Sequence, residues 1–215
     1  MVRRWFLLAA VLGIPMSVLA GEAGGPPALA KGDRIVFLGD SITQGGGGPN
    51  GYITLIKNTL DQECKDLGIE VFNAGISGNK VPNLQARLDK DVLARKPTIV
   101  FIYIGINDVW HWNKDAKGEM RGGTTKEKFE EGLKDIIARI KAAGARVILC
   151  TPSVIGEKPD GANERDTMLD EYSDISRKVA ADTGVQLTDL RKAFLAYEEK
   201  HNTANKHSGL LTGDG

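Results

Sequence analysis

A serine that follows a short apolar segment is the residue of this chain best suited to covalent chemistry. Residues 35–38 are apolar and β-prone, and they end in Gly39, Asp40 and Ser41 before a glycine-rich loop. A hydroxyl at the exposed end of a buried strand can act as a nucleophile when a neighbouring base removes its proton. The same residue types also form ordinary turns, in which the serine only satisfies nearby backbone groups. This segment alone leaves both interpretations open.

Two further polar segments follow apolar runs in the same way. One reads Asn-Ala-Gly-Ile-Ser-Gly and ends at Gly78, and the other reads Gly-Ile-Asn-Asp and contains Asn107. Glycine lets backbone approach a substrate closely, and an asparagine amide donates hydrogen bonds without adding charge. Gly78 could instead be a plain turn residue, and Asn107 could cap its loop. Their meaning depends on whether the fold brings them to Ser41.

The segments that must position these residues alternate between strand and helix patterns. Continuous apolar runs, typical of strands covered on both faces, predict strands over residues 34–38, 70–73, 98–104, 146–150 and 185–187. Helical periodicity and capping residues predict helices over residues 52–67 and 84–93, from Thr124 or Thr125 to Gly144, from Asn163 to Gly184, and after Asp189. With right-handed crossovers, this order predicts an α/β protein with a three-layer α/β/α, flavodoxin-like fold and a parallel five-stranded sheet.

The predicted topology has a consequence for the three polar segments. Ligands of open parallel sheets bind beyond the carboxyl ends of the strands. Ser41, Gly78 and Asn107 follow the first, second and third predicted strands, respectively. We therefore expect them to lie together at one edge of the sheet.

On its Gly-Asp-Ser, Asn-Ala-Gly-Ile-Ser-Gly and Gly-Ile-Asn-Asp segments, the chain resembles the SGNH (GDSL-type) hydrolases, a family of serine esterases. The resemblance covers essentially all of the chain after residue 20. It implies that Ser41 attacks an ester carbonyl and that water then hydrolyses an acyl-enzyme. It also implies that the N–H groups of Ser41 and Gly78, together with the Asn107 side-chain amide, stabilise the tetrahedral oxyanion. The resemblance implies no cofactor and no metal.

The family's closing Asp-x-x-His pattern is half present. Asp214 matches the aspartate that orients the catalytic imidazole in relatives, and the histidine would fall two residues beyond Gly215. His111 would require a different loop geometry from that of relatives, and His201 and His207 lie in a polar stretch. We therefore expect a chain truncated before the catalytic histidine and a final helix. The alternative is a catalytically degenerate carbohydrate-binding protein that kept the hydrolase scaffold.

The N-terminus is typical of an export signal. Arg3 and Arg4 precede an apolar stretch over residues 5–18, and small residues at Val18 and Ala20 suit signal cleavage. An uncleaved anchor helix is the alternative, although the stretch is short for a bilayer. We expect a signal peptide over residues 1–20, a lead-in segment over 21–31 and a hydrolase domain over 32–215. The protein would be exported, periplasmic or extracellular, with no stable membrane span after cleavage.

Composition excludes several other classes of function. The 28 Lys and Arg residues balance 28 Asp and Glu residues, so we expect no nucleic-acid partner. Residues 46–51 formally match the dinucleotide fingerprint G-x-G-x-x-G, but they begin too far after the strand and include a proline. Three separated histidines and two distant cysteines match no metal-binding spacing. Cys64 and Cys150 permit one disulfide without requiring it.

Together these observations predict an exported serine esterase that hydrolyses small carboxylic esters. The acid part of the ester is expected to be a short-chain acyl or acetyl group, and an acetylated carbohydrate is one candidate substrate. Trp110 and Trp112 flank His111 with flat aromatic surfaces that suit a sugar ring. They could equally belong to the core.

Overall fold

Five parallel strands form the central sheet that the apolar runs predict. The computed structural model describes residues 28–159 and 161–212. The predicted signal peptide, most of the lead-in segment, Asp214 and Gly215 lie outside these residues. The sheet has the order β2-β1-β3-β6-β7, and its strands are β1 (Arg34–Gly39), β2 (Glu70–Gly75), β3 (Ile99–Tyr103), β6 (Arg146–Cys150) and β7 (Gln186–Thr188). The short strands β4 (Asn113–Lys114) and β5 (Met120–Arg121) pair separately as an antiparallel hairpin.

Helices cover both faces of the sheet, which confirms the three-layer α/β/α fold. They are α1 (Ser41–Gly45), α2 (Tyr52–Glu63), α3 (Val81–Asp91), α4 (Ile106–Trp110), α5 (Lys126–Ala142), α6 (Asp166–Thr183) and α7 (Leu190–His201). The side chains of Thr125 and Asp189 cap α5 and α7 as the sequence predicts. Asn163 does not cap α6, which begins three residues later. Its backbone N–H and side-chain amide instead donate to Asp166 Oδ2 at 2.9 Å each, stabilising the turn that precedes the helix.

The register of the central strands fixes where their carboxyl ends lie. Gly39 at the end of β1 pairs with Gly75 on one side and with Tyr103 on the other. The three strands β2, β1 and β3 therefore end at the same level. The segments that follow them leave the sheet side by side, as the topology predicts.

Alternating strand residues divide the core between the two faces. On one face, apolar residues of β1, β3 and β6 pack against α3, α5 and α6. On the other face, the alternate residues pack against α2 and against Leu190 of α7. Cys64 and Cys150 both lie buried on this second face as free thiols, so no disulfide joins them. Burial raises the pKa of Cys150 to about 12, which keeps this thiol protonated at neutral pH.

No helix within residues 28–159 and 161–212 combines the length and the apolar character that crossing a bilayer requires.

Candidate active site

Asp40 positions the short helix that begins with Ser41. Its Oδ1 accepts a hydrogen bond from the Ile42 N–H (3.0 Å), and its carbonyl accepts one from the Gln44 N–H (2.9 Å). A side chain that accepts from the second residue of a helix satisfies one of the free N–H groups at the helix N-terminus. Asp40 therefore ends β1 and starts α1 within one residue. Ser41 is left as the first helical residue at the sheet edge.

Two glycines let α1 lie directly against the strand ends. A Cβ at Gly39 would stand 2.1 Å from Thr43 Oγ1, and a Cβ at Gly75 would stand 2.1 Å from the Gln44 nitrogen. Neither distance is compatible with any side chain unless α1 moves. Glycine at these two paired positions is therefore what holds the helix of Ser41 against β1 and β2.

The Ser41 side chain is exposed and forms no hydrogen bond with the residues that the structure describes. The backbone N–H that a turn serine would satisfy is instead bonded to Asp40. The Ser41 hydroxyl is therefore not needed to stabilise this turn. It remains open to a substrate.

The loop after β2 lies against α1. The Ile76 N–H donates to the Gly39 carbonyl (3.2 Å), and the Ser77 N–H donates to Gln44 Oε1 (2.7 Å). Gly78 follows with a φ of +76°, a left-handed conformation that glycine adopts without strain. Within the described part of the chain, its N–H donates to no protein group. This donor therefore remains available at the carboxyl edge of the sheet, where β1, β2 and β3 end (the rim).

Asn107 is linked to the same loop from the other side. Its side chain is only 4% exposed, and Nδ2 donates to the Asn79 carbonyl at 3.1 Å. The neighbouring Asp108 accepts a hydrogen bond from the Val81 N–H through Oδ1 (3.1 Å). One N–H of the Asn107 amide is used in this contact, and the amide carries a second. The start of α4 is thus joined to the loop that holds Gly78.

Arg87 of α3 connects these segments beneath the rim. Its Nη2 donates to the Gly39 carbonyl (2.8 Å), and its Nε donates to Asn79 Oδ1 (2.7 Å). The end of β1 and the loop after β2 are therefore fastened to a common side chain. Neither Arg87 nor Gln44 can be predicted from the sequence as part of the site, since an isolated charged or amide residue carries no spacing signal. The structure brings the segments of Ser41, Gly78 and Asn107 together, while Asp214 lies outside the described residues.

Two buried carboxyl groups stand behind this rim. Burial, opposed by the hydrogen bond from Ile42 and reinforced by the nearby Asp108 carboxylate, raises the pKa of Asp40 to about 6. Burial likewise raises the pKa of Asp108 to about 6. Both groups are ionised at pH 8 at a cost in stability. Their negative charge favours a positively charged group at this edge, such as a protonated imidazole.

None of the three histidines forms a hydrogen bond with Ser41. His111 follows α4, and burial together with the positive charge of Lys80 lowers its pKa. The ring of His201 packs on Tyr197 with a centroid separation of 4.3 Å. His207 contributes its carbonyl, which accepts the Glu157 N–H at 2.9 Å.

The two tryptophans of this region have different surroundings. The Trp112 ring lies on Gly123, where a Cβ would stand 2.3 Å from Nε1, and this nitrogen donates to the Tyr172 hydroxyl at 3.4 Å. Trp110, the last residue of α4, is 46% exposed. Trp112 therefore anchors the loop, and Trp110 offers the free aromatic surface. Among the described residues, no three His, Cys, Asp or Glu side chains are grouped so that they could hold a metal ion.

Comparison with known proteins places these features in a family. Residues 37–209 match the model of the GDSL-like lipase/acylhydrolase family. An acetylxylan esterase of Geobacillus stearothermophilus is 33% identical over an alignment of 180 positions that covers 77% of this chain and 80% of that enzyme.

Solved structures give the same result at the level of the fold. The crystal structure of an acetyl xylan esterase superposes with a TM-score of 0.76 at 44% identity, covering 84% of this chain and 89% of that one. Two structures of the Geobacillus enzyme are described as catalytic mutants. One has a histidine replaced by alanine (TM-score 0.70, 30% identity, 79% and 81% coverage). The other has a serine replaced by alanine (TM-score 0.71, 28% identity, 84% and 89% coverage).

Proposed function

Since the chain belongs to the GDSL-like lipase/acylhydrolase family of ester-hydrolysing enzymes, we propose that it removes acetyl groups from a carbohydrate. Ser41 is the nucleophile of this reaction. One observation carries the proposal. The free hydroxyl of Ser41 lies at the carboxyl edge of the sheet, its helix is hydrogen-bonded to the loop that holds Gly78, and the Asn107 amide is hydrogen-bonded to the same loop.

The reaction follows from this arrangement. Ser41 Oγ attacks the acetyl carbonyl carbon while a base takes the hydroxyl proton, and the carbonyl oxygen gains a negative charge. The N–H groups of Ser41 and Gly78 and the free N–H of Asn107 stabilise this charge in the transition state. Collapse of the intermediate expels the sugar oxygen, which receives the proton. Water then hydrolyses the acetyl-serine and releases acetate.

Asp214 is the proposed partner of the base. By the family's Asp-x-x-His pattern, it would orient an imidazole and stabilise the imidazolium formed during the attack. The buried carboxylates Asp40 and Asp108 favour that positive charge at the same edge. The catalytic mutants of the Geobacillus enzyme, one at a serine and one at a histidine, support a mechanism that uses both groups.

Carbohydrate as the alcohol component rests on two observations. The two related enzymes described above are named as esterases of acetylated xylan. Trp110 exposes its ring at the end of the helix that carries Asn107, and such a flat apolar surface suits the face of a sugar. The enzyme would meet a polymeric substrate outside the cytoplasm, which is consistent with the export signal that the sequence predicts for residues 1–20.

The test is acetate release from acetylated xylooligosaccharides by the full-length protein. Ser41→Ala should lower kcat by roughly 10⁶-fold, as expected for loss of a triad nucleophile. Ser77→Ala is the matched control, because this exposed serine lies on the neighbouring loop and should leave kcat unchanged. Equal turnover by the Ser41→Ala variant and the wild type would refute the proposal.

A second variant tests the carbohydrate part separately. Trp110→Ala should raise KM for the acetylated oligosaccharide and leave the hydrolysis of p-nitrophenyl acetate unchanged, because the small ester has no sugar ring to stack. Trp110→Phe should restore part of the loss. An unchanged KM for the oligosaccharide would argue for a different alcohol.

A further inference from the structure

We propose that Arg87 is a positioning residue for the ester hydrolysis: its guanidinium sets the spacing between the strand that leads to Ser41 and the loop that holds Gly78. The inference rests on the proposed function, because it concerns the groups that would stabilise the oxyanion. Within the described part of the chain, Arg87 forms no hydrogen bond with Ser41, Gly78 or Asn107. It would therefore act on the rate only through the segments to which it binds.

All three nitrogens of the Arg87 guanidinium are used. Nη2 donates to the Gly39 carbonyl (2.8 Å), and Nε donates to Asn79 Oδ1 (2.7 Å). Nη1 donates to Asp91 Oδ2 at 3.1 Å, one turn further along α3. A guanidinium carries its donors in a rigid planar fork, so these three contacts fix its orientation. The separation between the Gly39 carbonyl and the Asn79 side chain is therefore set by a rigid group.

The Gly39 carbonyl is the point where Arg87 reaches the segment of Ser41. It lies at the end of β1, two residues before Ser41. Besides the Arg87 nitrogen, it accepts the Ile76 N–H at 3.2 Å. Because a carbonyl oxygen carries two lone pairs, both hydrogen bonds can form at once. The end of β1 is thus attached both to α3 and to the loop after β2.

Asn79 is the point where Arg87 reaches the other proposed oxyanion donors. It directly follows Gly78, and its carbonyl accepts a hydrogen bond from Asn107 Nδ2 at 3.1 Å. Its side chain is held by Arg87 Nε. A movement of Asn79 would therefore displace the Gly78 N–H and the Asn107 amide together. A misplacement of about 1 Å in such groups can cost about 10²-fold in rate.

Arg139 of α5 binds the same helix α3 and provides a comparison. It donates to the Gln85 carbonyl (3.2 Å) and pairs with Asp89 Oδ1 (2.8 Å), both of which belong to α3. Its contacts therefore join two helices. Arg87 instead directs two of its three nitrogens out of its own helix, and both reach residues at the carboxyl edge of the sheet. The Arg87 side chain is 13% exposed, compared with 32% for Arg139.

The experiment compares Arg87→Met with Arg139→Met in the full-length protein, with p-nitrophenyl acetate as substrate. Methionine keeps an unbranched stem and removes every donor. Arg87→Met should lower kcat about 10²-fold with KM unchanged, because the oxyanion donors act in the transition state. Arg87→Lys should recover only part of this loss, since one ammonium group does not reproduce the fork. Arg139→Met should lower the melting temperature and leave kcat unchanged.

A double-mutant cycle with Asn107→Ala separates positioning from a general loss of stability. If Arg87 acts through the oxyanion donors, Arg87→Met should cost about tenfold less in kcat when residue 107 is already alanine. A substitution that only destabilised the fold would cost the same factor in both backgrounds. The cycle therefore measures a coupling that a purely structural arginine would not show.

Two outcomes would overturn the inference. One is a wild-type kcat in Arg87→Met, and the other is an equal loss of kcat in the wild-type and Asn107→Ala backgrounds. If Arg87→Met fails to fold, Asn79→Ala replaces it, because it removes the acceptor of Arg87 Nε and leaves the backbone carbonyl that binds Asn107; a lower kcat at unchanged KM is then expected, and no loss overturns the inference. Failure of the proposed function is recognised separately, because Ser41→Ala would then retain activity whichever residue occupies position 87.

Discussion

Buried aspartates stand at both edges of the parallel sheet, and their surroundings differ. At the amino edge, Asp33 is 5% exposed, and both of its carboxylate oxygens accept hydrogen bonds, from Thr98 Oγ1 (2.7 Å) and from the Ala30 N–H (2.7 Å). Thr98 Oγ1 also accepts the Arg34 N–H at 2.9 Å, so that β1 and the start of β3 share one hydroxyl. This edge is built from mutually satisfied polar groups.

At the carboxyl edge, the polar groups satisfy one another less completely. Burial raises the pKa of Asp40 and of Asp108 to about 6, and the Asp108 carboxylate contributes to the shift of Asp40. Ser41 presents a hydroxyl without a hydrogen-bond partner among the described residues, and the N–H of Gly78 is equally open. Active sites commonly reduce the stability of a fold in this way, because their hydrogen-bond donors are left unpaired until a substrate binds.

This difference between the two edges of the sheet predicts different effects of substitutions. Substitutions at the carboxyl edge should change the rate more than the stability, and some should stabilise the fold. Substitutions at the amino edge should change stability alone. Four variants test this division, from the largest expected effect to the smallest.

Asn107→Ala should have the largest effect of the four, and it should act on the rate. Removing one oxyanion donor typically costs about 2.7–4 kcal/mol of transition-state stabilisation, or about 10²–10³ in kcat. The cost in stability should be only about 1 kcal/mol, since one hydrogen bond to the Asn79 carbonyl is lost. Kinetics on p-nitrophenyl acetate and thermal denaturation would measure the two effects. Asn113→Ala is the control, because its amide only donates to the His111 carbonyl on an exposed hairpin.

Gly75→Ala should lower both rate and stability, because the new Cβ would stand 2.1 Å from the Gln44 nitrogen. Overpacking of this kind costs about 1–3 kcal/mol, and displacement of α1 should lower kcat by about 10²-fold. The matched variant is Gly45→Ala in α1 itself, where a Cβ meets nothing within 4 Å. Gly45→Ala should leave the rate intact and raise stability by about 0.4–1 kcal/mol. Similar kinetics for the two variants would show that α1 does not depend on the glycine contact.

Asp40→Asn should make the protein more stable at pH 8 and leave it little changed near pH 4. The folded-state pKa of about 6 lies above the ordinary value of about 3.9, so the folded state binds the proton more tightly. The stability associated with the protonated form is present below pH 4 and is lost as the pH rises through 6. Two pKa units at about 1.36 kcal/mol each give an upper limit of about 3 kcal/mol. An asparagine avoids this loss and still accepts the Ile42 N–H.

Urea denaturation at pH 4 and pH 8 would measure this difference. Asp61→Asn is the control, since Asp61 is an exposed partner of Lys57 and its ion pair contributes little. If Asp40→Asn were destabilising to the same extent at both pH values, the carboxyl edge would not carry the electrostatic cost that distinguishes it.

Much of this organisation can be predicted from the sequence, because it depends on local patterns. The apolar runs predict all five strands of the sheet to within two residues at each end, since strands buried on both faces must be continuously hydrophobic. The parallel sheet and the carboxyl-edge rule then predict that Ser41, Gly78 and Asn107 lie at one edge of the sheet. Thr125 and Asp189 are found as caps because a cap depends on the residues that follow it directly.

The remaining features depend on contacts between distant parts of the chain. The five-residue helices α1 and α4 are too short for a periodic pattern, and α1 is held by Gly39 and Gly75. The sequence does not distinguish Trp110 from Trp112. Their surroundings differ only in the folded protein, where the Trp112 ring packs on Gly123. Asparagine commonly caps helices, but the hydrogen bonds of Asn163 with Asp166 stabilise the turn that precedes α6. Glu157 accepts hydrogen bonds from residues more than fifty positions away, and no local pattern indicates such contacts.

Thr98→Val is expected to have the smallest effect, and it acts on stability alone. The valine preserves shape but removes the hydroxyl that donates to Asp33 and accepts the Arg34 N–H. The loss should be about 1–2 kcal/mol, because one of the two groups left behind is a buried carboxylate oxygen. Thr98→Ser keeps the hydroxyl and should recover most of this loss, and both variants should retain wild-type kcat. Should Thr98→Val slow the reaction as strongly as Gly75→Ala, the two edges would be mechanically coupled through β1, and the division between a stabilising and a catalytic edge would fail.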